Sequence, residues 1–469
     1  MLSNPKTWDV VIVGNGILAT TTARELMLRD SSLRILCIGP RSRSGSATKA
    51  AAAMLNSIAE VDSDTLDFPI LRARLALNRL ANRSTWTEFL RLLEDESGRS
   101  ISYGFGTYVI NNSKAGLLED RNYDAILRAL ETFNEEYRFC TPNMIPKYKP
   151  QSNVRALRSL FLPNEGWVNP VQTLDALEIS LSRYANFELL DDCVESIVYR
   201  DNEVRGVKVR TGGTVSANCV LLANGAAMSD VLVASGLEEL CLRVFYGVGV
   251  TALLRSESDT LTNCIRTPNR GLACGLYSAP QSPTETIVGA TNAIWDSPRF
   301  EPTLSNVHTL LSNARTELSL NLDRSSIVRF NVGWRPITED LMPLIGASPI
   351  QGLYIWNGMR RDGFHCAPVL SGLLSQVILG GVMPDEFKPF AVRTKPLKIY
   401  TRDESIERIV DHSLCGAFEH GLDLGGLEPD LLERSFLRLA TEVHDRLNLN
   451  SIGIHPEFFS YYRRLLQVA

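Results

Sequence analysis

Val10-Val11-Ile12-Val13-Gly14-Asn15-Gly16-Ile17-Leu18-Ala19 decides the fold of this chain. The unbroken β-branched and apolar run reads as a buried parallel strand, and residues 20–29 continue from it as a helix. Gly14 permits the tight turn between the two. Gly16 lets backbone N–H groups approach a pyrophosphate, and the small Ala19 lets helix and strand pack closely. The helix that opens at Ile17 would direct its positive end at the phosphates. A glycine turn in this context, after a strand and before a helix, predicts a dinucleotide site.

Outward from that turn, Leu33-Arg34-Ile35-Leu36-Cys37-Ile38 reads as the second parallel strand. Residues 47–55 form a small-residue stretch that can be helical and lets something large pack against its backbone. Helical periodicity recurs over 64–95, 115–137 and 303–322, and Tyr103 to Ile110 alternates as a strand does. Strands are expected near 187–190, 194–199 and 206–210, with a hairpin turn at Asp201-Asn202-Glu203. A β-rich block covers 242–295, and a short core strand near 353–357 precedes another helix. From about Tyr400 two amphipathic helices, 403–420 and 428–447, are joined by residues 421–426. Alternating βαβ pieces broken by long antiparallel insertions predict an α/β protein of two intertwined domains.

Composition narrows the function. The net charge of −5, with no basic block, leaves no footprint for nucleic acid. Residues 1–6 lack the charged and apolar regions of a signal peptide, and no apolar run is long enough to span a bilayer, so a cytoplasmic protein is expected. The nine cysteines are scattered without metal-like spacing, which predicts free buried thiols and no metal site.

Several segments in one order resemble the glycine oxidase/D-amino acid oxidase family of FAD enzymes. They are the turn at Gly14 to Ala19, then Thr48-Lys49-Ala50-Ala51-Ala52-Ala53-Met54-Leu55, Glu165-Gly166-Trp167-Val168-Asn169-Pro170 and Val220-Leu221-Leu222-Ala223-Asn224-Gly225-Ala226. Further on come Val288-Gly289-Ala290-Thr291, Gly333-Trp334-Arg335-Pro336-Ile337-Thr338-Glu339-Asp340 with Pro343-Leu344-Ile345-Gly346, and Gly358-Met359-Arg360-Arg361-Asp362-Gly363-Phe364 with Ala367-Pro368. The resemblance covers about residues 8–392. It implies a Rossmann-like FAD-binding domain of glutathione-reductase type (8–85, 150–228 and 330–392) and a substrate domain of antiparallel sheet plus helices (86–149 and 229–329). Residues 400–469 are then an α-helical C-terminal extension.

By the same resemblance, non-covalent FAD would be held by Gly14, Gly16, Ile17, Ala19, Thr48, Ala53, Met54, Val194, Ala223, Gly225, Gly358, Arg361, Asp362, Gly363 and Phe364. The implied reaction is oxidation of the C–N bond of a small amino acid or amine, with hydride passing to flavin N5 and, in an oxidase, O₂ giving H₂O₂. Arg335 would clamp the substrate carboxylate through two charge-assisted hydrogen bonds, Tyr277 would join that clamp, and Arg361 would stand at the flavin edge. Competing readings are an Arg335 ion pair with Asp340 or Glu339, a sheet-packing role for Tyr277, a surface role for Arg361 and plain strand core for Val194. His365 is expected as either a core histidine or a proton-handling group.

Two departures stand out. Gly39-Pro40-Arg41 lacks the usual ribose carboxylate, so either Ser44, Ser46 or Arg41 would substitute or FAD binding is weakened, and Arg41 or Arg43 could instead meet the 2′-phosphate of NADP. The extension has no counterpart in short glycine oxidases, and packing onto the FAD domain is its default expectation. A dimer contact, a cover for the active site and a dock for a substrate-carrying protein are alternatives. A dehydrogenase, an oxidase of a carrier-bound amino acid and a non-catalytic flavin-binding subunit are alternative functions.

Overall fold

The computed structural model describes residues 7–258, 260–272, 274–422 and 429–467. The expected opening is present: the strand Trp8–Val13 leads through Gly14–Gly16 into the helix Ile17–Arg29. Val13 and Leu222 lie in register across one parallel pair, and Val13 and Ile38 across the other. The whole layer runs Leu344–Ala347, Leu353–Asn357, Thr214–Leu222, Trp8–Val13, Ile35–Ile38, Phe187–Leu190, with a hairpin of Val194–Arg200 and Glu203–Val209 attached. Asp201 and Asn202 both take positive φ in that hairpin turn, as a right-twisted two-residue connection requires. Val11, Ile12, Val220 and Leu221 are fully buried, since helices and the hairpin cover both faces of this parallel layer.

A second, mostly antiparallel sheet is built on the long strands Val244–Arg255 and Ser326–Thr338, which pair along nearly their whole length. It continues through Glu285–Gly289, Tyr277–Ser282, Cys264–Arg266, Tyr103–Asn111 and Arg158–Val168 to Met54–Leu55. The strand Ser326–Thr338, which pairs with Val244–Arg255 in this second sheet, runs through residue 330.

Residues 47–55, which can be helical by composition, are so only in part. Only Ala47–Ala50 is helical; Ala51 is extended, Ala53 takes φ of 50°, and Met54–Leu55 pairs with Trp167 and Gly166. Sheet pairing and the approach of the second layer override the local preference of alanine for helix.

The extension also departs from expectation. Arg402–Glu419 and Pro429–Arg446 form the two helices, while most of the expected 421–426 linker lies outside the described residues. The segment packs mainly against the second layer, not the first. Arg121 pairs with Asp411, and Phe458 inserts among Phe245, Ile294, Ile337 and Leu341. Among the described residues, no helix is long and apolar enough to cross a membrane.

The His412 imidazole accepts the Leu272 N–H at 3.0 Å. Burial pushes its pKa down to about 4; Asp411 and Asp64 oppose that shift and Arg360 reinforces it. A histidine held neutral in the fold contributes stability that is fully present above about pH 6.5 and lost as the pH falls toward 4. His412→Asn, which keeps an acceptor without a titrating group, should flatten that part of a thermal-midpoint-against-pH profile.

Candidate active site

A cavity of about 380 Å³ lies between the two sheets. Its floor is the carboxyl edge of the parallel layer, where Val13-Gly14, Ile38-Gly39 and Ala223-Asn224 all reach it. Doubly wound sheets place their ligands at this edge. Gly14 sits at φ 117°, and a Cβ there would stand 2.6 Å from the Ala223 carbonyl oxygen. Gly14→Ala is therefore expected to yield protein without flavin, read from the absorbance of the purified variant. Gly16 caps the following helix without a side-chain bond, so the first amides remain open to the cavity, apart from that of Ile17, which donates to Thr48 Oγ1 at 3.2 Å. That is the arrangement a pyrophosphate needs.

Of the residues expected to hold the cofactor, Gly14, Gly16, Ile17, Thr48, Ala53, Met54, Val194, Ala223, Gly225, Arg361, Asp362, Gly363 and Phe364 line the cavity. Ala19 and Gly358 do not. Ala19 is completely buried within the first turn of the helix, and Gly358 (φ 68°) forms a turn against Thr338 and Met342. Val194 lines the cavity and is at the same time buried strand core. Two buried polar atoms on the wall, Asn224 Oδ1 and His365 Nδ1, have no hydrogen-bond partner. A cradle of glycines, open helix amides and orphaned polar atoms fits a dinucleotide such as FAD.

At the vacant ribose position, the Asn15 side chain packs where a Gly39 side chain would stand, and its Nδ2 donates to the Pro40 carbonyl at 3.0 Å. Ser44, Ser46 and Arg43 line the cavity, whereas Arg41 is exposed and away from it. Arg43 is already engaged by Glu178 and the Asn15 carbonyl, which leaves it poorly placed for a 2′-phosphate.

At the flavin-side turn, Arg74 pairs with the Asp362 carboxylate at 2.6 Å. That partner accounts for the charge. His365 is buried with Nε2 2.9 Å from the Asn78 carbonyl, and burial depresses its pKa. It is therefore a neutral imidazole that donates through Nε2 and presents Nδ1 as an acceptor.

Tyr277 and Arg335 arrive on separate strands of the second sheet and meet at the cavity. Arg335 Nη1 donates to the Thr291 carbonyl at 3.0 Å and to Asn292 Oδ1 at 3.2 Å. Neither carboxylate of the competing reading reaches it, because Asp340 is bound by Arg393 and Glu339 accepts from Tyr462. Among the described residues Arg335 has no ion pair, and the Tyr277 hydroxyl has no hydrogen bond. Burial, with Cys274 and Glu60 nearby, raises the Tyr277 phenol above its usual range against a smaller opposing effect of Arg335, so it remains a donor.

Sequence reasoning missed the two glycines that make room for this pair. A Cβ on Gly249 would overlap the Arg335 guanidinium, and one on Gly289 would overlap the Tyr277 hydroxyl. Because a long side chain's end can move, Gly249→Ala should fold normally yet raise KM about tenfold by displacing Arg335. Steady-state kinetics beside a thermal midpoint checks this.

Arg361 lines the cavity, mostly covered, and pairs with Glu60 at 3.0 Å and with Asn269 Oδ1 at 2.9 Å, which replaces the surface reading. Burial pushes the Glu60 carboxyl up, but Arg266 and Arg361 pull it further down, to about 2. Glu60 is thus ionised at every working pH. Cys274 also lines the cavity as a free thiol.

The family description that matches residues 9–377 is DAO, FAD dependent oxidoreductase. The chain belongs to this family. A glycine oxidase of Bacillus licheniformis is 24% identical over 387 residues, spanning 81% of this chain and 96% of that protein. The bifunctional protein ThiO/ThiG of Trichormus variabilis is 26% identical over 387 residues, and the chain spans about half, 53%, of its length. The glycine oxidase structure from Bacillus cereus shares the fold with a TM-score of 0.69 at 20% identity, over 83% of this chain and 99% of that one. The residues from 378 onward, including the C-terminal extension, lie beyond the part that this family matches.

Proposed function

We propose that this oxidoreductase oxidises the C–N bond of a small α-amino acid or N-substituted amino acid to an imine, which water hydrolyses to the oxo acid. The observation that carries the proposal is the Arg335 guanidinium, facing the cavity beside the Tyr277 hydroxyl and, among the described residues, not paired with a carboxylate. A guanidinium in that state recruits a carboxylate through paired hydrogen bonds, and the neutral phenol adds a third donor. Holding the carboxylate fixes the distance and the face that the α-carbon presents. FAD, when bound, supplies the two-electron acceptor. The residues for it are the phosphate turn at Gly14–Ile17, the adenine end at Asp192–Val194 and the flavin turn at Asp362–Phe364. Relatives named glycine oxidase support a small substrate.

The test is a flavin-reduction screen. Anaerobic addition of glycine, sarcosine, D-alanine or iminodiacetate to the yellow holoenzyme should bleach it with at least one of them. Peroxide production on readmitting air separates an oxidase from a dehydrogenase. A flavin that stays oxidised across an amino-acid panel overturns the proposal.

A further inference from the structure

The extension reaches the substrate site through one buried side chain. Glu457 is 6% exposed and sits where the chain turns from Pro456–Phe458 into the last helix, Phe459–Leu465. It bonds to the guanidinium of Arg360, which lines the cavity. Its other oxygen accepts from Asn292 Nδ2 at 3.2 Å, and Asn292 Oδ1 in turn accepts from Arg335 Nη1 at 3.2 Å. An amide with its two ends spent in this way has a single orientation. The carboxylate of Glu457, together with the Leu272 carbonyl that accepts from the same nitrogen, sets which end of Asn292 points at Arg335.

The surroundings make this contact more than incidental packing. Arg74, Arg266, Arg360 and Arg361 crowd one wall, matched by Glu60, Asp62, Asp362 and Glu457. Glu457 is the member of that set supplied by the extension. Asn292 Nδ2 also donates to the Leu272 carbonyl at 3.3 Å, and the Leu272 N–H is held by His412 of the extension. The Gly271 N–H donates to Cys415 Sγ, and a Cβ at Gly271 would overlap the His412 carbonyl, so the extension lies directly on this loop. Two loops of the substrate layer, near 271 and 292, are therefore set by residues beyond the family-matched 9–377.

We propose that Glu457 is a positioning residue of the substrate site, which holds the Arg335 guanidinium through Asn292 and the flavin-side turn through Arg360. The extension is on this account part of the carboxylate clamp, and the site is incomplete without it. The inference rests on the assignment of Arg335 to the substrate carboxylate.

The experiment uses the full-length holoenzyme and glycolate as a carboxylate probe that lacks the amine. Glycolate affinity by isothermal titration, kcat and KM are measured for Glu457→Leu, Asn292→Ala, the double variant and Arg335→Ala, alongside flavin content and thermal midpoint. Glu457→Leu with flavin retained should weaken glycolate binding at least tenfold and raise KM more than it lowers kcat. The double variant should bind no more weakly than the worse single variant, because both break one relay. Should Glu457→Leu fail to fold, Glu457→Gln decides the matter: its one carbonyl oxygen cannot serve both Arg360 and Asn292, so an amide N–H is set against a donor, and glycolate binding should weaken at least threefold with flavin retained. A folded, yellow Glu457→Leu that binds glycolate as the wild type does overturns the inference, as does additive weakening in the double variant or a folded, yellow Glu457→Gln that binds glycolate as the wild type does. An Arg335→Ala variant that binds glycolate normally overturns the underlying clamp instead.

Discussion

Arg335→Ala is expected to lower kcat/KM by two orders of magnitude or more while the protein stays folded and yellow. The magnitude follows from what is removed. Hydrogen bonds to a charged group contribute about 1.5–3 kcal/mol each, and a bidentate clamp loses two, so about 3 kcal/mol or more disappears. Each 1.36 kcal/mol is a tenfold change in rate constant. Stability should change little, because Arg335 gives up only the Thr291 carbonyl and Asn292 on the protein side and has no buried counter-ion to orphan. Arg335→Lys separates charge from geometry. Lysine restores the positive charge but not the planar fork, and should recover only part of the loss. If Arg335→Ala retains wild-type kcat/KM for the best substrate, the guanidinium does not touch it.

Residues that act through their immediate neighbours in the chain were readable in advance. The glycine turn, the parallel strands beside it and the hairpin at Asp201-Asn202 are local signals, each carried by a few consecutive residues. Arg335 and Tyr277 came from the family resemblance, and the structure brings both to one cavity from strands far apart in the chain. What could not be read was the set of partners. Glu60 meets Arg266 and Arg361 across more than 200 residues, and no period or spacing encodes such a meeting. Gly249 and Gly289 look like ordinary strand glycines until the side chain occupying the missing Cβ position is known. The helix at Ala47–Ala50 ends after one turn for the opposite reason: its composition favours helix, but pairing of Met54 with Trp167 decides the backbone. Asp340 shows how a family signature divides its labour. It accepts from Thr338 and the Met342 N–H and pairs with Arg393, so it braces the turn after Arg335 and leaves the arginine free for a ligand.

Arg270→Met is expected to be the most destabilising single substitution of those considered, by about 3–5 kcal/mol. Arg270 is fully buried, as are Glu119 and Glu317, which it bonds at 2.8 and 2.6 Å. It also donates to Asn112 Oδ1, and Lys114 adds a second cation beside Glu317 at 3.0 Å. Burial pushes Glu317 up, but Arg270 and Lys114 bring it down to about 2; Glu119 has an oxygen without a partner, and burial raises it. Without Arg270, Glu119 can escape by taking a proton, whereas Glu317 is left ionised against Lys114 alone. An exposed pair provides the contrast: Arg91–Asp95, on a helix surface, should cost at most about 0.5 kcal/mol when Arg91 becomes alanine. The consequence extends to the site, because Asn269, the residue before Arg270, bonds both Arg361 and Asp62. Urea denaturation should therefore show an earlier midpoint for Arg270→Met, with weakened flavin retention in the fraction that remains folded. A midpoint within about 1 kcal/mol of wild type would mean that the two carboxylates reach water or protons at little cost, and that the triad does not hold the 267–272 loop against the cavity.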